Sequence, residues 1–423
     1  MLQNLWDKNL YILLYAVMCA SLFFDAILFF DVVSVSRAVS ILLILVFFFF
    51  IEKANIISAF KSMSLVILLL VFLFIRSFIG GLDFSDPYFY ALFFNLLMAI
   101  AVAGVLSKVN QLEMVFLITF AIVFLFSVFS FFGWGIERSY TDFRASFMSL
   151  NQNEYSALLL IGFASGLYYL NVFFQRHERT SLLSVFGLFI ILVAIFSTGS
   201  RLAIIGSVLS NFFYAALVYY RYGRRDLSLL YFSIVFIVIA IDMSKLFIFD
   251  VYEGSYLYDR LLAGEAGQGR SALLERFNIV NTGVNQNFSS LGGRIEFWSL
   301  SIKAYLSAPW IGLGYEGFRD FLSLNQGHRP HNALLEALAI GGGMVFIFVM
   351  LIVRWVFRKL RINSYDMGMT FIVIFPLAII SMMLNVSSLK LFWLYLAVSV
   401  SFFTSKEMIY GSSMEKKESI NCA

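Results

Sequence analysis

Long apolar runs separated by short polar connections dominate the chain. Each run is close to the ~20 residues that an α-helix needs to cross the hydrocarbon core of a bilayer. We predict twelve membrane-spanning helices, at residues 10–30, 33–51, 63–81, 88–106, 113–133, 155–174, 182–199, 202–220, 227–243, 333–353, 367–385 and 390–404. No basic segment precedes the first run and no small-residue cleavage pattern follows it, so we expect it to be retained as a helix.

One connection is much longer than the others and divides the chain. The predicted organisation is membrane helices over 1–242, a large loop over 243–332, further membrane helices over 333–404 and a tail over 405–423. Residues 250–292 of the loop are polar and rich in glycine. Residues 293–310 instead carry apolar side chains at helical spacing, including Trp298 and Tyr305. Since Trp and Tyr favour the membrane–water interface, this segment predicts an interfacial helix that ends at the turn after Pro309.

Composition supports the bilayer as the solvent for much of this chain. Hydrophobic residues make up 61% of it, charged residues 13%, and 50 residues are phenylalanine. A soluble domain has about 25% charged residues. The two cysteines, Cys19 and Cys422, indicate neither a disulfide framework nor a cysteine metal site. The predicted fold class is an all-α polytopic membrane protein with about twelve transmembrane helices and one long loop outside the membrane that contains an interfacial helix.

The distribution of Lys and Arg orients the predicted helices, because cytoplasmic loops carry an excess of basic residues. With the N-terminus inside, sixteen Lys and Arg residues fall in inside segments and six in short outside loops. The six outside residues are Arg37, Arg76, Arg138, Arg144, Arg201 and Lys390. We therefore expect both termini to be cytoplasmic and the long loop to face the other side of the membrane.

Several outer-face residues have chemistry that suits a phosphorylated substrate. Arg201 follows a small-residue turn, STGS, and Arg294 opens the predicted interfacial helix. Each could simply anchor its helix at the lipid headgroups. Guanidinium groups, however, also bind phosphate oxygens in bidentate fashion and stay charged at any relevant pH. Arginines without a metal therefore favour a diphosphate ligand.

The segment GHRPHN holds two of the chain's three histidines, His328 and His331. His331 could be an interfacial polar residue, or a general base, because neutral imidazole accepts a proton near pH 7. Asn332 is predicted to be the N-cap of the following helix, and Glu336 lies about one turn further along. The H-x-x-H spacing lacks the further ligands that a zinc site needs, so we predict no metal. No phosphate-binding P-loop, nucleophile elbow or HExxH motif occurs either.

Three segments resemble the bacterial O-antigen ligase and O-antigen polymerase family, which consists of membrane glycosyltransferases of the GT-C type. They are STGSRLAIIG, GGRIEFWSLSIKAYLSAPWIGLGYEGF and HRPHNALLEALAIGGG, and the likeness extends over residues 195–345. FRASFMSLNQNEYSALL also resembles the family's segment entering the middle of the bundle. The resemblance implies that Arg201 and Arg294 bind undecaprenyl diphosphate and that His331 is the catalytic base. Arg144 and Arg319 are further binding candidates, with His328 and Asn332 in support.

The resemblance implies an inverting glycosyl transfer without metal or cofactor, at the periplasmic side of a bacterial inner membrane. The expected partners are an undecaprenyl-diphosphate-linked oligosaccharide donor, a glycan acceptor and membrane lipids. Whether a chain-length regulator protein also binds is left open at this point. No nucleic acid is expected. A polymerase would use a carrier-linked repeat unit as acceptor, and a ligase the lipid A core. We favour the polymerase, because polymerases are the more diverse group. A polysaccharide-lipid transporter or flippase is the alternative of another class, but no repeat relates the two halves and the polar groups gather at the outer face.

Overall fold

The computed structural model of the protein describes a defined part of the chain. This part comprises residues 2–24, 28–29, 33–50, 53–81, 87–107, 112–131, 136–138, 145–147, 152–177, 182–198, 200–244, 291–325, 330, 332–362, 367–383 and 393–400. The predicted polar stretch at 250–292 therefore lies almost wholly outside the described residues.

Helices make up nearly all of the described chain, which confirms the all-α class. They are α1 (Leu2–Ser21), α2 (Val35–Phe50), α3 (Lys53–Ser62), α4 (Ser64–Ile79), α5 (Pro87–Ser107), α6 (Leu112–Phe131), α7 (Gln152–His177), α8 (Leu182–Thr198), α9 (Arg201–Tyr222), α10 (Arg225–Ser244), α11 (Leu291–Ser307), α12 (Gly314–Leu324), α13 (Ala333–Gly341), α14 (Gly343–Ile362) and α15 (Met367–Met383). Residues 393–400 form a further helix, α16. Two short antiparallel hairpins complete the described elements: β1 (Leu28–Phe29) with β2 (Val33–Ser34), and β3 (Ile136–Arg138) with β4 (Ala145–Phe147).

Three predicted helices differ from the observed ones. The first begins earlier and ends at Ser21, where a 3-10 turn follows, instead of running to residue 30. The helix predicted over 63–81 is present as α4, but a further helix, α3, precedes it. The two helices meet at Met63 with a bend of 72°. The single helix predicted over 333–353 was wrong: it is divided at Gly342 into α13 and α14.

Length and composition single out one described helix as able to cross a membrane, namely residues Leu202–Tyr220 of α9. Counting the bent pair α3–α4 as one span gives up to two. The apolar stretches of other described helices are shorter, 10–17 residues long. The twelve spans and their orientation stay predictions.

Exposed apolar side chains on α4 fit an apolar environment better than water. One face of α4 buries Val66, Leu70 and Leu73 against the rest of the protein. The opposite face leaves Ile75 and Ile79 exposed, the latter by 72%. A helix that is hydrophobic all round needs a protein core or lipid on every side. The exposed face of α4 is therefore suited to lipid.

Helix packing forms two neighbouring groups that concern the site. In the first, α7 packs against α6, α8, α9 and α15. Close approach of α6 and α7 depends on Gly162, where an added Cβ would lie 2.3 Å from Cγ1 of Val123. In the second group, α13 packs against α4, α11 and α12. Helix α15 contacts both α9 and α13 and so connects the two groups.

The helix predicted over 293–310 is present as α11, and it ends before the turn at Pro309 as expected. Its protein-facing side is formed by Phe297, Ser301 and Ala304, which are buried. Ile302 and Leu306 are exposed, the latter by 63%. The exposed apolar positions are compatible with an interfacial helix, and the interfacial location stays a prediction.

Candidate functional site

The predicted site residues differ in how far the structure describes them. Arg201 is the first residue of α9 and Arg294 lies in the first turn of α11, both with described backbone only. Arg319 in α12 and Asn332 before α13 are described in full. Arg144, His328 and His331 lie outside the described residues.

Asn332 caps the N-terminus of α13, as predicted. Its backbone is extended, with φ −147° and ψ 103°, and its side-chain oxygen accepts hydrogen bonds from the N–H groups of Leu334 and Leu335. Both bonds are 3.1 Å long. The first N–H groups of a helix have no partner within the helix, so a buried cap of this kind stabilises its start. The cap fixes where α13 begins, at Ala333.

Trp298 connects α11 to the chain just before His331. Its indole N–H donates a hydrogen bond of 2.9 Å to the carbonyl oxygen of Pro330. Trp298 lies four residues after Arg294, so the two positions share one face of α11. This bond joins the face of α11 that carries Arg294 to Pro330, the residue that precedes His331 in sequence.

The opposite end of α13 is held by the turn that follows α11, residues 308–313, which we call the Pro-Gly turn. The N–H of Leu313 donates to the carbonyl of Ala339 at 2.9 Å, and the N–H of Gly343 donates to the carbonyl of Pro309 at 2.7 Å. An added Cβ on Gly312 would lie 2.3 Å from the Ile340 carbonyl oxygen. Only glycine allows the two backbones to approach this closely. The break between α13 and α14 is therefore formed by contact with the Pro-Gly turn.

Arg76 of α4 binds the same turn from another direction. Its Nε donates to the carbonyl of Ile311 at 2.9 Å, and its Nη2 donates to the carbonyl of Gly312 at 2.7 Å. The sequence analysis counted Arg76 among the basic residues of the outer face. The carbonyls that it binds belong to the predicted outer loop, which is consistent with that side. In the structure Arg76 fixes a turn.

Comparison with protein families finds a match in this part of the chain. Residues 186–350 match the sequence model of a family described as O-antigen ligase. This part of the chain is therefore similar to the O-antigen ligase family. The matched range includes the residues 195–345 on which the resemblance was based, so the resemblance is confirmed there. Comparisons with curated proteins and with solved structures find no match.

The matched range, residues 186–350, includes most of the predicted site. Members of this family are membrane proteins and glycosyltransferase-like enzymes. The match begins within α8 and contains α9 to α13, with Arg201, Arg294 and Asn332, and its sequence also includes His331. Arg144 and Arg76 precede it. The Trp298 hydrogen bond joins α11, which carries Arg294, to Pro330, the residue before His331 in sequence. Arg201 opens α9, which is linked to α13 through α15.

The start of α9, within the matched range, has properties that suit an anion. Ser200 precedes the helix in extended conformation, with φ −74° and ψ 106°, and makes no side-chain cap. Its hydroxyl oxygen is buried and has no hydrogen-bond partner among the described residues. The N-terminal end of a 22-residue helix also carries partial positive charge, which favours an anion.

Arg319 has a different setting within the matched range. It is 57% exposed and its Nη2 lies 2.5 Å from Oε2 of Glu316 in the preceding turn. An exposed arginine with an adjacent carboxylate has part of its charge already balanced. Arg319 therefore stays the weaker binding candidate.

Glu336, which the sequence analysis noted without giving it a role, is fully buried in α13. Of the charged side chains whose burial the structure describes, it alone is buried. Glu336 is not without an interaction in the protein. A buried carboxylate is costly unless it is paired or hydrogen-bonded. The sequence signal for it is one acidic residue within the apolar run ALLEALAIGGG.

A metal site has no support in the described part of the chain, where no three His, Cys, Asp or Glu side chains lie close enough together to hold an ion. His328 and His331 lie outside that part. A metal-free site stays a prediction.

Proposed function

We propose that this protein is a glycosyltransferase that uses an undecaprenyl-diphosphate-linked glycan as donor, and that it acts as an O-antigen polymerase at the periplasmic side of the inner membrane. The observation that carries the proposal is the match of residues 186–350 to the O-antigen ligase family. Further support comes from the hydrogen bond between Trp298 and Pro330, because it joins the helix of Arg294 to the residue that precedes His331.

In the proposed reaction an acceptor hydroxyl attacks the anomeric carbon of the donor sugar. A new C–O bond forms, the bond between that carbon and the diphosphate oxygen breaks, and undecaprenyl diphosphate leaves with the electron pair. The acceptor's proton goes to the imidazole of His331. A positioned base of this kind typically contributes ~10²–10⁴-fold in rate.

Arg201 and Arg294 are assigned to the diphosphate. Negative charge grows on the leaving group as the glycosidic bond breaks, and guanidinium donors placed there stabilise it. The diphosphate is a good leaving group already, so it needs charge stabilisation more than protonation. The buried Ser200 hydroxyl and the helix start beside Arg201 support an anion at that position.

A ligase is the second candidate, and the description of the matching family as O-antigen ligase favours it. Donor, diphosphate ligands and base would be the same. The acceptor would be the sugar core of lipid A instead of another carrier-linked repeat unit.

A strain that lacks the gene distinguishes these functions when its surface polysaccharide is separated on a gel. Loss of the long-chain ladder, with single repeat units still on the lipid A core, identifies a polymerase. Loss of all attached glycan, with polymer left on the carrier, identifies a ligase. An intact ladder contradicts both and favours the transporter.

Complementation of that strain tests the site residues. Arg201→Ala, Arg294→Ala and His331→Ala should each abolish product formation while the protein remains in the membrane. Arg201→Lys should restore little, because an ammonium group cannot form the bidentate contact. Arg224→Ala is the matched control, since Arg224 forms an exposed pair with Asp226 at the other end of α9 and should complement fully. Wild-type glycan with His331→Ala would remove that residue as the base.

A further inference from the structure

The indole of Trp298 is bonded to the main chain of the proposed site, 32 residues further along the sequence. Trp298 is half-buried, and its Nε1–H points to the carbonyl of Pro330 at 2.9 Å. The mechanism proposed above gives this side chain no task. A hydrogen bond from a tryptophan to one particular carbonyl can have a role beyond packing.

The main-chain carbonyl of Pro330 depends on this hydrogen bond for a partner. Proline has no N–H, so its carbonyl is its one main-chain hydrogen-bonding group. Pro330 is buried, and a buried carbonyl requires a partner. Trp298 supplies that partner. Loss of the indole N–H would leave this carbonyl to find another donor by moving.

The carbonyl of Pro330 belongs to the same planar peptide group as the nitrogen of His331. Rotation of that plane would rotate the backbone that carries the imidazole. On the other side of His331, the cap formed by Asn332 fixes the start of α13. The two described neighbours of the proposed base are thus held separately, Pro330 by a bond from α11 and Asn332 by its cap on α13.

We propose that Trp298 is a positioning residue, which holds the Pro330 carbonyl and thereby orients His331 towards the acceptor hydroxyl. The inference rests on the proposed function, because it needs His331 to be the base. Trp298 also lies one helical turn after Arg294. The same hydrogen bond therefore joins the helix that carries Arg294 to Pro330, the residue before His331.

Trp298→Phe tests the role, because it removes the N–H and retains an aromatic ring. The matched control is Trp310→Phe, since Trp310 lies in the adjacent Pro-Gly turn and is 80% exposed. A second variant, Trp298→His, restores a donor: its Nε2 lies as many bonds from Cα as the indole nitrogen does. Full-length proteins are purified in detergent and supplied with the undecaprenyl-diphosphate-linked oligosaccharide extracted from the deletion strain.

Trp298→Phe should lower kcat by about 10- to 100-fold, with KM for the donor changed by less than about twofold, because misplacement of a reacting group affects the chemical step. Trp298→His should recover part of the loss, and Trp310→Phe should behave as wild type. A wild-type kcat in Trp298→Phe overturns the positioning role. A loss that Trp298→His does not relieve, accompanied by an equal loss of folded protein, also overturns it, because that pattern reflects packing.

A second measurement does not depend on catalysis. Diethyl pyrocarbonate modifies accessible imidazoles, and mass spectrometry separates His331 from His177 at the end of α7. The modification rate at His331 should change several-fold in Trp298→Phe and stay constant at His177. If the wild-type protein transfers no glycan but this change occurs, the proposed function fails and the Trp298 contact still orients His331. An active wild type with no change at His331 overturns the inference alone.

Discussion

Gly342→Ala should destabilise the junction between α13 and α14 through two separate effects. The first is conformational: Gly342 has φ +64° and ψ −155°. This region of backbone conformation is open essentially to glycine, and a residue with a Cβ pays about 1–3 kcal/mol to occupy it.

The second effect is steric. A Cβ on Gly342 would lie 2.5 Å from the nitrogen of Gly312, 2.6 Å from the carbonyl carbon of Trp310 and 2.7 Å from the nitrogen of Ile311. All three are backbone atoms of the Pro-Gly turn, so no side-chain rotation relieves the overlap. Overfilling of this kind typically costs about 1–3 kcal/mol. Together the two effects predict a loss of about 2–6 kcal/mol in the free energy of unfolding.

The measurement is the free energy of unfolding of purified protein, from titration with SDS in mixed micelles. Gly223→Ala is the matched control, because Gly223 has the same φ of +64° and no atom within 4 Å of an added Cβ. It should lose only the conformational contribution, about 1–2 kcal/mol. Equal losses in the two variants, within about 0.5 kcal/mol, would show that the Pro-Gly turn does not pack against Gly342 as described.

Three further substitutions give smaller, separable effects in the same unfolding titration. Arg76→Lys keeps the charge but loses the forked contact with the Pro-Gly turn, so it should lower the free energy of unfolding by about 1–3 kcal/mol. Retained wild-type stability would contradict a stabilising role for the hydrogen bonds from Arg76 to the turn. Asn332→Ala removes the cap of α13 and should cost about 0.5–2 kcal/mol, with Asn332→Asp close to wild type. Arg319→Ala breaks an exposed pair and should change stability by less than about 0.5 kcal/mol. It should also reduce glycan transfer less than Arg294→Ala does, and an equal reduction would place Arg319 among the principal diphosphate ligands.

The positions of most helices could be predicted from the sequence because an apolar run of fixed length has few alternatives. The runs at 88–106 and 182–199 correspond to α5 (Pro87–Ser107) and α8 (Leu182–Thr198). The break at Gly342 could not be predicted in this way. Three consecutive glycines allow a break but do not require one, and the contacts that produce it come from Pro309 to Leu313, some 30 residues earlier in the chain.

The same difference between local and long-range contacts explains which site residues could be predicted. Asn332 was predicted as a cap because capping is local, and its partners are two and three residues away. Arg76 and Trp298 received no such role, because the carbonyls they bind lie 235 and 32 residues away in sequence. Hydropathy identifies where a residue sits relative to the membrane, but it does not identify which distant backbone group its side chain meets.

The nine residues of α13 span about 13 Å, which is too short for a helix to be stable by itself. Its position must therefore come from its packing against neighbouring helices and from the contacts at its two ends. The Pro-Gly turn and Arg76 hold the end at Gly342, while Trp298 acts on the chain next to His331. Because the ends are more than 10 Å apart and have different partners, their effects should be largely independent. Gly342→Ala should thus reduce stability more than kcat, and Trp298→Phe should reduce kcat more than stability. The opposite pattern would mean that α13 is oriented from its C-terminal end.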